Sequence, residues 1–217
     1  LLYTQDKVCE RCKRYKYYNA VKFKCLKNSP FLSAAAMLEM YIHKILRIYE
    51  KNVDLFIAPS EFLRSKFIEF GFDPKRIKTV PHFAFKQGGG EQSARTGEKY
   101  FLYAGALSKE KGIGLVLDYL RERKEIKLKI AGDGPLKKYL EDFCRKNAQE
   151  NIKFLGQLSA DKLEKEINGS LALIVPSVWN EPFGMVVLEA YRSEKPVIAS
   201  NAGALAELVK DGETGRL

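Results

Sequence analysis

"PSVWNEPFGMVVLEAYRSEKPVIASN", residues 176–201, is the stretch on which the reading of this chain turns. The apolar run "LALIVPS" leads into it and has the length and composition of a buried strand. Trp179-Asn180-Glu181-Pro182-Phe183-Gly184 breaks that run, and Pro182 suits a position just ahead of a helix. The helix carries a second carboxylate, Glu189, eight positions after Glu181. "PVIAS" then reads as another apolar strand. Strand, helix, strand is the repeating unit of a parallel sheet. Two acids around a Pro-Phe-Gly turn at the mouth of that sheet point to a ligand.

The same alternation extends outward on both sides. "KYFLYAG", a helix over 109–122, "IKLKIAG", a helix over 135–148, "IKFLG" and a helix over 159–168 precede the quoted stretch. Helices over 184–193 and 203–210 complete the series. The strands are near-continuous apolar runs, as expected when helices cover both faces of a sheet. This predicts a doubly wound α/β domain over 99–217. Residues 86–98, "KQGGGEQSARTGE", are glycine-rich, polar and aperiodic, and read as a linker. Before them, 1–85 holds a basic segment, 1–30, and then a helix opened by Ser29-Pro30. In that helix Leu38, Tyr41, Ile42, Ile45 and Tyr49 recur at helical spacing and predict one buried face, with His43 just off the stripe. A further strand-helix-strand unit, "VDLFIAPS" to "IKTVPHF", closes the first domain, its helix capped by Ser60 and ended at Gly71.

Ligands in doubly wound sheets bind beyond the carboxyl ends of the strands. The turns there are "AGALSKEKG", "AGDGP", "LGQLS", "PSVWNEPFG" and "SNAGA", each with a glycine or small residue that lets backbone approach a ligand. Phe183, Gly184 and Met185 present free amides at a helix start, a ready anion site. Glu181 alone is also explained as a stabilising acid near a helix N-terminus. Glu189 is not, and is placed to accept hydrogen bonds from hydroxyls. Lys109 and Lys111 are expected at the start of a helix, where the macrodipole disfavours cations unless an anion is bound. No P-loop, dinucleotide fingerprint, zinc-protease motif or nucleophile elbow is present.

Lysine and arginine number 37 against 27 acids, a net charge of +10, which suits an anionic partner. The excess concentrates in 7–27, where Tyr15, Tyr17, Tyr18 and Phe23 are interleaved with eight basic residues. No named nucleic-acid module accompanies it. That segment also holds Cys9, Cys12 and Cys25, which fit a metal site, a disulfide or redox pair, or plain reduced thiols. With three thiols and no histidine before His43, a bound metal is not expected. Cys144 reads as core filler. No apolar run is long enough to span a bilayer. The chain opens on Leu1 and stops at "DGETGRL", as an apolar strand is about to begin, so it is expected to be a piece of a longer protein.

"IAPSEFLRSKFIEFGFDPKRIKTVPHF", "YAGALSKEKGIGLVLDYL", "LKIAGDGPLKKYLE", "IKFLGQLS" and "LIVPSVWNEPFGMVVLEAYRSEKPVIASN", in this order, resemble the retaining glycosyltransferases of family 4 (glycosyl transferases group 1). The resemblance covers residues 50–217 and implies the GT-B architecture of two facing Rossmann-like domains, the first incomplete here. It implies a hexosyltransferase that uses a UDP- or GDP-sugar and a saccharide or lipid-linked acceptor, with no metal or other cofactor. Glu181 would hold hydroxyls of the transferred sugar. Phe183, Gly184 and Met185 would contact sugar and phosphate, and Glu189 the ribose. Lys111, beside Gly105, would hold the diphosphate. Gly132, Gly134 and Leu158 would frame the base. The family's usual arginine two residues before Ser108 is replaced by Ala106, which leaves the diphosphate to Lys111, with Lys109 nearby. The family's glycine-rich loop and active-site histidine would precede Leu1. Acceptors in the family are often membrane-linked, so the basic segment would lie against anionic lipid at the cytoplasmic face. Other nucleotide-sugar enzymes of this architecture, epimerase or sucrose-synthase type, would share the donor turns. A non-catalytic nucleotide-binding protein is the remaining alternative.

Overall fold

A computed structural model describes residues 2–4, 7–84 and 97–217, in two compact units, 1–81 and 82–217. The linker expected at 86–98 lies, apart from Gly97 and Glu98, outside the described residues.

The first unit opens with two short antiparallel strands, β1 (Leu2–Thr4) and β2 (Lys7–Cys9), and a helical turn, α1 (Asn19–Lys22). The long helix α2 (Pro30–Ile45) starts as the sequence predicts, with Ser29 Oγ accepting from the Leu32 amide. Arg47, at φ 52°, breaks the helical path before α3 (Ile48–Asn52). Strand β3 (Phe56–Ala58), helix α4 (Glu61–Glu69) and strand β4 (Ile77–Thr79) form the expected parallel unit, with Ser60 Oγ capping α4 at the Leu63 amide. The buried face expected on α2 is not found. Leu38 is 58% exposed and Ile45 77%, and the buried residue of the helix is Ser33. A helical stripe is buried only where another layer meets it, and among the described residues none covers this one.

The second unit is a six-stranded, all-parallel sheet. Its strands are β5 (Phe101–Ala104), β6 (Leu128–Ala131), β7 (Ile152–Gly156), β8 (Leu173–Val175), β9 (Val197–Ala199) and β10 (Gly215–Arg216), in the spatial order β10-β9-β8-β5-β6-β7. Between them run α5 (Ile113–Leu120), α6 (Lys137–Lys146), α7 (Ala160–Gly169), α8 (Met185–Arg192) and α9 (Leu205–Leu208). Successive strand residues point to opposite faces, and β5 shows both. Tyr103 packs with Ile113 and Leu117 of α5, Leu140 of α6 and Leu128 and Ile130 of β6. Leu102 packs with Ile167 of α7, Val187 of α8, Leu205 of α9 and Leu173 of β8. The sheet is thus sealed on both sides, as the doubly wound reading requires.

One expected helix is divided. Residues 109–111 form a 3₁₀ turn, Gly112 takes φ 69°, and α5 begins only at Ile113. A side chain at position 112 would place its Cβ 1.9 Å from the Pro176 carbonyl oxygen, so the turns after β5 and β8 meet backbone to backbone there. Lys109 and Lys111 therefore do not stand at the start of an α-helix, and the dipole argument for an anion beside them does not apply.

Candidate functional site

The chain leaves β5 toward β6 on one side and reaches β8 on the other, so the winding reverses between β5 and β8. At such a switch point the turns diverge and open a crevice at the carboxyl edge. A cavity of about 450 Å³ occupies that place. Ala104, Gly105 and Ala106 line it from β5, Ala131, Gly132 and Asp133 from β6, and Gln157 and Leu158 from β7. Leu163 of α7 and Met185, Val186 and Glu189 of α8 complete the wall. Its size is ordinary for a small-molecule site.

The floor is built from backbone. A Cβ at Gly132 would lie 1.9 Å from the Gly105 carbonyl oxygen, so the two turns can touch only because residue 132 has no side chain. Gly132 therefore serves packing as well as any ligand. Gly134 lies behind this contact, against the backbone of Leu107. The buried Tyr103 hydroxyl donates to the Ala106 carbonyl at 2.7 Å and fixes the turn where an arginine was expected. Burial, then the nearby Glu181 and Glu110 carboxylates, push the Tyr103 phenol well above its usual range, so it stays a neutral donor.

Gly184 is the N-cap of α8, and its carbonyl accepts from Val187. The amides ahead of Val187 thus open toward the edge that Met185 and Val186 line. Phe183 is buried at 5% exposure. Glu189, one turn into α8, is half-buried on the cavity wall. Burial raises its carboxyl pKa, and Arg192 one turn on only partly opposes this. No hydrogen bond reaches its carboxylate among the described residues.

Lys111 and Glu181 form a second centre, outside the residues lining the cavity. Glu181 is 6% exposed. Its Oε1 accepts from Lys111 Nζ at 2.6 Å and from the buried Ser177 hydroxyl at 2.6 Å. Lys111 Nζ also stands 5.4 Å from the Trp179 ring centroid. The main chain of Glu181 is held by a bridge to Gly203 and by the Ala204 amide, which donates to its carbonyl at 2.9 Å. The Val178 amide donates to Glu110, joining this loop to the 3₁₀ turn that carries Lys111.

Of the residues singled out in the sequence, Gly105, Gly132, Leu158, Met185 and Glu189 thus share one cavity, while Lys111 and Glu181 pair beside it. Asp133, Gln157, Leu163 and Val186 were missed as wall residues, and Ser177 as a partner of Glu181. Asp133 and Gln157 sit inside turns that the sequence marks, whereas Leu163 and Val186 read as core. In the first unit Cys9, Cys12 and Cys25 border one cavity of about 180 Å³ as free thiols. Burial, Cys25 and Cys9 together raise the Cys12 thiol pKa.

The profile of the family described as Glycosyl transferases group 1 matches residues 90–217. An uncharacterized glycosyltransferase of Methanocaldococcus jannaschii is 38% identical over 122 residues, which is 54% of this chain and 31% of that protein. The lipopolysaccharide 1,2-N-acetylglucosaminetransferase of Salmonella typhimurium is 29% identical over 205 residues, covering 83% of this chain and 53% of that protein. Among solved structures, Anabaena HepE in complex with UDP and glucose superposes with a TM-score of 0.71 at 22% identity, over 81% of this chain and 52% of that one. The lipopolysaccharide outer core galactosyltransferase WaaB in its apo form gives 0.63 at 25%, over 76% and 48%. The chain therefore spans about a third of the first curated relatives it matches and about half of these solved structures. The architecture is GT-B, and the second unit is its Rossmann-like domain.

Proposed function

The chain belongs to the glycosyl transferases group 1 family, and from that premise we propose that it carries the donor site of a retaining hexosyltransferase. The donor is a nucleoside diphosphate sugar, and the acceptor a saccharide or a lipid-linked saccharide. The observation that carries this reading is Glu189. Its carboxylate stands half-buried on the wall of the switch-point cavity, with no hydrogen-bond partner among the described residues. A ribose diol supplies the two donors it lacks.

The other roles are those that the family resemblance implies. Gly132, Gly134 and Leu158 flank the base. The amides at Gly184 and Met185, with Phe183 behind them, receive phosphate and sugar oxygens. Lys111 leaves Glu181 for the diphosphate and stabilises the charge that grows on it as the anomeric C–O bond breaks. Glu181 then accepts from the hydroxyls of the sugar. The acceptor oxygen attacks the face the diphosphate leaves, and its proton passes to a phosphate oxygen, so neither a protein nucleophile nor a metal is required. UDP is the first nucleotide to try, because HepE binds it, with GDP as the alternative. The basic segment 7–27 rests on anionic lipid at the cytoplasmic face of a membrane.

Calorimetric titration with UDP and GDP, beside acceptor-dependent initial rates, tests the reading in the full-length protein. Glu189→Gln weakens free nucleotide and nucleotide sugar alike, by about 10-fold or more for a lost charge-assisted hydrogen bond. Glu181→Gln keeps nucleotide affinity and lowers kcat by a similar factor of about 10–100. Lys111→Ala weakens nucleotide binding, and its affinity loss shrinks with added salt more than that of either glutamate variant. If Glu181→Gln loses nucleotide as badly as Glu189→Gln, this division of labour is wrong. If the wild type binds no nucleoside diphosphate, the donor-site reading fails altogether.

A further inference from the structure

We propose that Ser177 is a positioning residue for Glu181, holding one carboxylate oxygen so that the other is presented to the donor sugar when Lys111 moves away. The inference rests on the donor-site reading above and assigns a further residue to it.

Glu181 Oε1 takes two donors, Lys111 Nζ and Ser177 Oγ, each at 2.6 Å. Among the described residues no hydrogen bond reaches Oε2. The two donors differ in kind. Lys111 is a cation on a flexible stem, with its side chain 28% exposed, and it has an alternative partner whenever a diphosphate arrives. Ser177 is 2% exposed, lies two residues beyond the end of β8, and carries its hydroxyl on a short side chain. When Lys111 turns to phosphate, Ser177 is the remaining side-chain donor to Glu181. Without it, a buried carboxylate that has just lost its counter-ion is free to rotate. With it, Oε1 stays turned toward the protein and the other oxygen keeps its direction. The hydroxyl thus acts when the salt bridge is broken, which is when the sugar needs a fixed acceptor.

The test uses the full-length protein with UDP and its sugar donor, and three variants. Ser177→Ala keeps UDP affinity within about twofold and lowers kcat about 10-fold, the worth of one hydrogen bond to a charged group. Ser177→Cys keeps volume but donates weakly, and behaves like alanine. Ser177→Thr restores a hydroxyl and recovers part of kcat. If Ser177→Ala does not fold, the cysteine variant carries the test. Wild-type kcat in the cysteine variant, or in a folded alanine variant, overturns the proposal and leaves the donor site standing. A wild type that binds no nucleoside diphosphate overturns the donor-site reading, and this role with it. A substrate-free measurement separates the two failures. The Glu181 side-chain carboxyl carbon, followed by carbon-13 NMR at one fixed pH, changes its chemical shift in Ser177→Ala if the hydrogen bond is as described, and keeps it if it is not.

Discussion

Leu102 and Ile45 are both large aliphatic side chains on regular elements, yet the first is fully buried and the second is 77% exposed. Leu102 belongs to a sheet with a helical layer on each face. Ile45 belongs to α2, whose neighbours are the short helices α1 and α3. The same apolar periodicity therefore means different things in the two units. In the second it marks a core, and in the first it marks a face to which no described layer is opposed. What orders the first unit is more polar. Ser33 is buried, and its hydroxyl donates to the Ser29 carbonyl at 2.7 Å while accepting from the Leu26 amide at 3.1 Å.

Three substitutions can break or sharpen this contrast. Leu102→Ala leaves a cavity between two sealed layers and should cost about 3 kcal/mol, whereas Ile45→Ala should change stability by about 0.5 kcal/mol or less. Chemical denaturation followed at Trp179, the single tryptophan, reads the first, and amide exchange in α2 reads the second. Equal costs would mean that the exposed stripe is covered after all. Ser33→Ala comes next, at about 1–2 kcal/mol, because it leaves the Leu26 amide without its acceptor. A serine that outweighs an isoleucine in the same helix would confirm the polar character of the first unit, seen as faster exchange at Leu26 and along the start of α2.

One effect runs in the opposite direction. Burial raises the Glu189 pKa above its ordinary 4.5, so the folded state holds this proton more tightly than the unfolded chain does. The group favours folding most below pH 4.5, and that advantage is lost as the pH rises through the folded value. Glu189→Gln should therefore leave the second unit at least as stable as wild type at neutral pH, read as an equal or higher melting temperature. It should also flatten the stability profile between mildly acidic and neutral pH. A variant that melts lower than wild type at pH 7 would mean that Glu189 has a partner in the folded state.

Much of the second unit was legible because buried parallel strands write themselves as apolar runs. The order of strands and helices from Phe101 to Val209 follows from those runs and the turns between them. The split at Gly112 was not legible, since only the approach of Pro176 shows why the chain must turn there. Glycines in "AGDGP" suggested room for a ligand, but Gly132 is equally needed by Gly105, a contact between residues far apart in sequence. The Glu181–Lys111 pair joins residues 70 positions apart, and no local pattern announces it. Ser177 hid for a related reason, because a serine at the end of an apolar strand looks like punctuation. In the first unit the stripe on α2 was read correctly as apolar, but its burial depended on a neighbouring layer and not on the stripe.

The contacts of Gly132 with Gly105 and of Gly112 with Pro176 also bear on how this site can diverge between descendants. Both are main-chain junctions, and any side chain introduced at either glycine strikes a carbonyl before it could meet a ligand. The floor of the site is therefore closed to inherited variation. Position 106 is open to it, since the Tyr103 hydroxyl grips its carbonyl and leaves the side chain uncommitted on the cavity wall. Position 157 has the same licence, whereas the Asp133 carboxylate already accepts from the Gly134 amide and pairs with Lys137. Lineages of this chain should keep one scaffold and vary at positions 106 and 157, and the alanine now at 106 is one setting among those the scaffold tolerates.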